Sequence, residues 1–220
     1  DYYAYSDQDD IWQSEKLARA LAVLKTLPTE VPALYCSRTL VVDAEDRPIC
    51  MSPLFTKPPS FANALMQNIG GGNTMVFNDS ARKLLIEAGE SVNVVSHDWW
   101  AYLLLSGCGG QVFYDAEPTV RYRQHEHNLV GMNASISARL NRIIQLFKGR
   151  FREWTDLNIA AINAIRDHLT PKNKQILDQF VVARQQPLFR RMLALKATGI
   201  YRQTLFGTLG LIVAAIFNKI

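Results

Sequence analysis

Three carboxylates fall within four positions at Asp7, Asp9 and Asp10, directly behind an aromatic stretch, Tyr2-Tyr3-Ala4-Tyr5, and ahead of Ile11-Trp12. Carboxylate oxygens suit hard divalent cations. Magnesium or manganese held by one or two of them keeps coordination positions open for substrate phosphates. An apolar strand that ends in clustered aspartates would present such ligands at the carboxyl edge of a sheet. On spacing alone a second reading stands beside this one: a solvated acidic turn that caps the following helix, since Asp is a favoured N-cap. A calcium loop of the EF-hand type is excluded, because the sixth loop position holds no Gly and the twelfth no Glu.

Three further segments carry chemistry. Gly70-Gly71-Gly72-Asn73-Thr74 is either a turn or a place where the backbone approaches a ligand closely, which glycine permits. Ser96-His97-Asp98-Trp99-Trp100 reads as a helix start, with Ser96 or Asp98 as cap and the tryptophans packing inward or offering a flat apolar face to a ligand. A carboxylate at that position is stabilised in its ionised form by the helix dipole. Arg121-Tyr122-Arg123-Gln124-His125-Glu126-His127-Asn128 puts two histidines at i, i+2, but a structural zinc site needs further nitrogen or sulfur ligands, and only His97 and His168 remain. Cys36, Cys50 and Cys108 have no paired metal spacing and read as free or buried thiols.

The run Ser6-Asp7-Gln8-Asp9-Asp10-Ile11-Trp12, with Lys16 and Leu17 after it, resembles the Asp-X-Asp region of bacterial family-two glycosyltransferases, above all their rhamnosyltransferase-like branch. The stretch Asn68 to Asn78, the Ser96–Trp100 block and Tyr122-Arg123-Gln124-His125 follow in that family's order, so the likeness runs from residue 2 to residue 131. It implies a GT-A-like, Rossmann-like mixed sheet flanked by helices. It also implies an inverting transfer from a nucleoside-diphosphate sugar, with dTDP-L-rhamnose as the suggested donor, to a cell-surface polysaccharide or lipid-linked acceptor. By that resemblance Asp7, Asp9 and His125 hold magnesium or manganese, and Asp7, Lys16 and Arg123 meet the donor diphosphate. Gly72, Asn73, Trp99 and Trp100 line the acceptor and sugar positions, and Asp98 is the catalytic base. Relatives often carry Gly-Asn-Asn where this chain has Glu126-His127-Asn128, and a carboxylate where it has His97. The family places the strand at residues 2–5 deep in a sheet, so the chain is expected to be N-terminally truncated, without the βαβ portion that holds the nucleotide base.

The elements that must position these groups follow from periodicity. Leu17, Ala20, Leu21 and Leu24 predict a helix over 13–27, stopped by Pro28. Residues 33–36, 39–42, 74–77 and 111–114 read as strands, 52–60 and the segment around Pro118 as loops, and 61–68, 81–88 and 98–105 as helices. Such alternation predicts an α/β layer fold. Beyond it, Leu140, Ile143, Ile144, Phe147, Phe151 and Trp154 predict an amphipathic helix, with others around 157–169, 172–185 and 187–198. The expected division is 1–135, bearing the chemistry, and 136–220, a helical tail.

Charge follows the same division. Residues 1–138 carry a net −6 and residues 139–220 a net +10. Leu205 to Phe217 is an uncharged run of 13 residues, too short for the roughly 20 needed to span a bilayer. It reads as a buried helix or, with its basic neighbours, as an interfacial helix on anionic lipid. The expected location is therefore peripheral, on the cytoplasmic face of the plasma membrane. No nucleic-acid motif accompanies the basic residues, and none is expected as a partner. The alternative to an enzyme is a non-catalytic module, with an incomplete donor site and a tail that docks on a membrane or partner.

Overall fold

The structure is a computed structural model, and it describes residues 1–124 and 149–220. Its centre is a mixed sheet of order β1-β5-β3-β6-β2, with β4 also pairing β3. The strands are β1 (Tyr2–Ala4), β2 (Ile11–Trp12), β3 (Ala33–Val42), β4 (Pro48–Met51), β5 (Val76–Asn78) and β6 (Gln111–Arg123). Only β3 and β6 run parallel, and the other pairings are antiparallel.

β3 is buried along Ala33–Ser37 because both faces of the sheet are covered, as the near-continuous apolar run requires. Alternate side chains serve different layers. Ala33, Tyr35 and Val76 pack with Ala20 and Leu24 of α1 (Lys16–Leu24). Leu34, Cys36 and Phe77 face α2 (Phe61–Ala64) and α4 (His97–Gly107), while α3 (Asp79–Glu87) flanks them. Every residue of α4 from Trp99 to Gly107 is buried, as expected of a helix that is apolar all round.

β3 and β6 are each longer than predicted. Between the pairs Ser37–Asp115 and Thr39–Val120 the register shifts, so β6 bulges opposite Arg38. Pro118 lies in that bulge, where its missing N–H breaks no ladder bond. The Ser37 and Thr119 hydroxyls meet across the irregularity at 2.6 Å. A polar Ser-Arg pair and a proline hid one continuous strand in each case. β2 and β4 were not anticipated at all. β1, which the resemblance places deep in a sheet, lies at an edge of this one and pairs with β5 through Tyr2–Asn78, Tyr3–Phe77 and Ala4–Val76.

After residue 149 come α5 (Arg150–Ala164), α6 (Pro171–Gln185), α7 (Leu188–Ala197) and α8 (Leu205–Ile216). Thr170 caps α6 by accepting from the Asn173 amide at 3.2 Å, with Pro171 in its first turn. The front part of the predicted 140–154 helix lies outside the described residues, and α5 runs through 154–157, where a break was expected. The expected boundary at 135 also lies outside the described residues. The two sides of it share one hydrophobic cluster, in which Leu34, Phe61 and Trp100 join Ile162, Phe180, Leu195, Leu211 and Ile220. Polar contacts lock them as well: Gln203 exchanges two 3.0 Å bonds with the Lys57 backbone, and Asn63 donates to the Tyr201 carbonyl at 3.0 Å.

Gly110 marks where α4 hands the chain to β6. A Cβ there would lie 2.7 Å from the Pro32 carbonyl oxygen and 2.8 Å from that of Leu105, both backbone atoms that cannot yield cheaply. Gly110→Ala is therefore expected to destabilise the fold by about 1–3 kcal/mol in denaturant unfolding. A wild-type midpoint would refute that close approach.

Candidate active site

The segment 5–10 carries the chain from β1, at one edge of the sheet, to β2, at the other. Four strand spacings of about 4.8 Å make roughly 19 Å. Seven residue steps of about 3.3 Å reach roughly 23 Å. The acidic loop therefore has little slack as it crosses the sheet, and it bends at Gln8–Asp9. Its far end is pinned by Ile11–Arg121 and Trp12–Val120 and by a 2.9 Å bond from the Gln13 amide to the Thr119 carbonyl.

Beneath this loop lies the Gly-Asn turn. Gly72–Thr74 forms one 3₁₀ turn that leads into β5, and Gly72, Asn73 and Thr74 are buried. The Asn73 side chain donates to Asp10 Oδ2, and the Arg123 amide donates to Asp10 Oδ1 at 3.0 Å. Lys16 Nζ reaches the same turn from below, donating to the Asn73 carbonyl at 2.5 Å and sitting 3.4 Å from the Trp12 ring centroid. Lys16 is fully buried, on the same stripe of α1 as Ala20 and Leu24. The predicted stripe was rotated by one position, and Leu17 is 44% exposed.

The third wall is the start of α4. Asp98 Oδ1 accepts from the Ser96 hydroxyl at 2.5 Å and the Trp99 amide at 2.7 Å, while Oδ2 accepts from the Gly72 amide at 3.2 Å. Ser96 makes no side-chain bond to a helix amide, so Asp98 closes its own first turn. His97 stands over Gly72, where a Cβ would meet His97 Nε2 at 2.3 Å, so the ring can occupy this place only because residue 72 is glycine. The same ring meets Tyr5 edge-on, with centroids 4.9 Å apart.

Three stretches distant in sequence thus converge, bringing together Asp7, Asp9, Asp10, Gly72, Asn73 and Asp98. The electrostatics follow from that crowding. Burial pushes the Asp7 carboxyl above its usual range, and Asp10, Asp9 and Asp98 push it the same way, with His97 opposing. Tyr5 is raised by burial and then by Asp98. Burial brings the Lys16 ammonium down to about 8 against the opposing pull of Asp10 and Asp7.

Some expected roles are altered by placement. Trp99 and Trp100 are 6% and 7% exposed, and Trp99 Nε1 donates to the Ala64 carbonyl at 2.7 Å while its ring meets Trp154 edge-on. The stacking faces expected of both are taken up by protein, because α4 is a core helix. Lys16 is likewise turned inward, toward Asn73 rather than toward solvent. The Arg123 guanidinium donates to the Asp9 carbonyl at 3.0 Å and to the Ala44 carbonyl. His125 lies outside the described residues. Among the described residues no three His, Cys, Asp or Glu side chains gather as a metal-binding group. Asp7 is held up first by burial and then by Asp10, Asp9 and Asp98, and a divalent ion, if bound there, would stabilise its ionised form. Asp10 was foreseen only as one carboxylate of the cluster, and Tyr5 and His97 were given no role in the site. The signal for Asp10 was its place immediately before the short apolar pair Ile11-Trp12, at the foot of a strand.

Compared with known proteins, the chain is similar to the dTDP-rhamnosyl transferase RfbG of Shigella flexneri, with 30% identity over 155 residues, covering 65% of this chain and 50% of that protein. The chain thus spans half the length of this curated relative. No protein-family model matches the chain, and no solved structure matches it. A similarity of this extent supports a glycosyltransferase, and the mixed α/β architecture is compatible with that class.

The inward ammonium yields a test. Between about pH 8 and 10.5 the unfolded chain still holds a proton on Lys16 that the folded chain has released. The stability cost of burying this charge is therefore full below about pH 8 and relieved as the pH rises through that window, with a slope of up to about 1.4 kcal/mol per pH unit. Wild type should gain stability relative to Lys16→Met over this range, as read from denaturant midpoints at stepped pH. Parallel curves would contradict the buried placement.

Proposed function

We propose that the chain carries the acceptor-side machinery of a metal-dependent glycosyltransferase. It transfers a sugar, with L-rhamnose from dTDP-rhamnose as the suggested donor, to a hydroxyl of a cell-surface glycan or lipid-linked acceptor. The reading takes the sheet as GT-A-like. The observation that carries it is the 3.2 Å bond from the Gly72 amide to Asp98, which joins the Gly-Asn turn to a carboxylate at a helix start beside the acidic loop. The similarity to a dTDP-rhamnosyl transferase supplies the reaction class.

In this reading Asp98 is the base. Its Oδ1 already accepts two hydrogen bonds, whereas Oδ2 accepts one at 3.2 Å and keeps a lone pair for an incoming hydroxyl. The acceptor oxygen forms its bond to the anomeric carbon as the proton passes to Asp98. The bond from that carbon to the diphosphate oxygen breaks, its electron pair leaves with the diphosphate, and attack from the opposite face inverts the centre. Asp7 and Asp9, with His125, would hold magnesium or manganese, which when bound offsets charge on the departing diphosphate. Gly72 and Asn73 shape the floor under the sugar. Lys16 and Arg123 hold that floor and the acidic loop in place through Asn73, Asp9 and Asp10.

Two measurements test this. Calorimetry of the 220-residue chain with manganese and dTDP should show binding that disappears in Asp9→Ala. In a transfer assay with dTDP-rhamnose, Asp98→Asn is expected to lower turnover by about 10²–10⁴-fold with little change in donor binding. Near-normal turnover in Asp98→Asn would remove Asp98 from the role of base.

A further inference from the structure

The last 42 residues, 179–220, carry six cations and no Asp or Glu. Arg184 is bound to Asp156 and the Ile220 carbonyl, and Arg191 to the carbonyls of Gln186 and Ala215. Arg190 and Lys196 are exposed and Lys219 is half-buried, and none of the three forms an ion pair among the described residues. The same stretch exposes large apolar side chains. α8 buries Leu211, Ala214 and Ala215 and turns Phe206 (83% exposed), Leu209, Val213 and Phe217 outward. On α7, which is tied to α8 by the Arg191–Ala215 bond, Phe189 and Leu193 stand outward one turn apart, at 82% and 62% exposed. Apolar side chains grouped in this way on adjoining helices signal a surface that something covers.

The charge decides what covers it. A second copy of the chain would set cations against cations, with no carboxylate on either side of this stretch to meet them. An anionic lipid surface supplies both an apolar phase and negative headgroups. No helix among the described residues is long and apolar enough to cross a membrane, and α8, at 12 residues, is about 18 Å long. Such a helix lies in the interface plane. We propose that α7 and α8 form a docking face for an anionic lipid surface, with Phe189, Leu193, Phe206 and Phe217 entering the headgroup boundary and Arg190, Lys196 and Lys219 meeting lipid phosphates. The proposal stands on this face alone, independently of glycosyl transfer.

The test is flotation of the full chain with vesicles of phosphatidylcholine alone or mixed with phosphatidylglycerol. Wild type should float with the mixed vesicles, much less with the neutral ones, and less at high salt, which screens the charge contacts. Phe189→Glu/Phe206→Glu should bind at least about tenfold more weakly. Arg190→Gln/Lys196→Gln alters only exposed groups, keeps the fold available for comparison by circular dichroism, and should also weaken binding to the mixed vesicles. Equal flotation of wild type and variants, equal binding to neutral and mixed vesicles, or a wild-type dimer that Phe206→Glu dissociates without any vesicle binding would each overturn the proposal.

Discussion

A buried ammonium holds the candidate site together. Lys16 Nζ lies under the acidic loop with the Asn73 carbonyl, the Trp12 ring and the fields of Asp10 and Asp7 as its surroundings. Isolated in a protein interior, such a charge would be costly, and the carboxylates above it make the position tenable. The dependence is mutual. Without a cation beneath them, Asp7, Asp9, Asp10 and Asp98 would repel one another across a small volume. Without the carboxylates, Lys16 would have no reason to occupy a core position on α1. The Asn73 carbonyl turned toward Lys16 leaves its amide free to hold Asp10, and through Asp10 the end of β6.

This coupling makes the geometry of the site a property of the whole sheet. The loop is stretched between opposite edges, so its ends move only if β1 moves relative to β5 or β2 relative to β6. Asp98 is tied to α4, whose remaining length is buried from Trp99 to Gly107. A helix so placed cannot shift its first turn without opening the core, which keeps the carboxylate oriented toward Gly72. Stability and site geometry therefore draw on the same contacts, as preorganised chemistry requires.

The helices after residue 149 share in that core but present a different surface. Their inward residues join the cluster around Leu34 and Trp100, while the outward residues of α7 and α8 include basic and large apolar groups and no carboxylate. Acidic groups gather at the loop and basic ones on the helical side. One fold thus carries two surfaces of opposite character, a negative one and a positive one that is partly apolar.

Much was legible in the residues themselves. The uninterrupted apolar run of α4, the Thr170-Pro171 start of α6 and the uncharged run of α8 are local patterns that follow from backbone geometry. The acidic cluster and Asp98 were visible as chemistry because clustered carboxylates are uncommon. Periodicity reports that a residue is buried, however, and not what it is buried against. Lys16 read as a lysine facing the donor diphosphate because its partner Asn73 lies 57 residues away, and Asp10 looked like one acid among three because the Arg123 amide lies 113 residues away. Pro118 read as a loop because the bulge that excuses it exists only once β6 lies beside β3. Trp99 and Trp100 read as possible sugar platforms, but Trp154 of α5 meets Trp99 and the core cluster takes up Trp100. The sequence by itself supplied the candidates for holding a cation or accepting a proton, by residue type and by the resemblance they carry. Tertiary structure alone decided which of them face one another, because those pairings are non-local and are selected by burial and charge compensation after the chain has closed on itself.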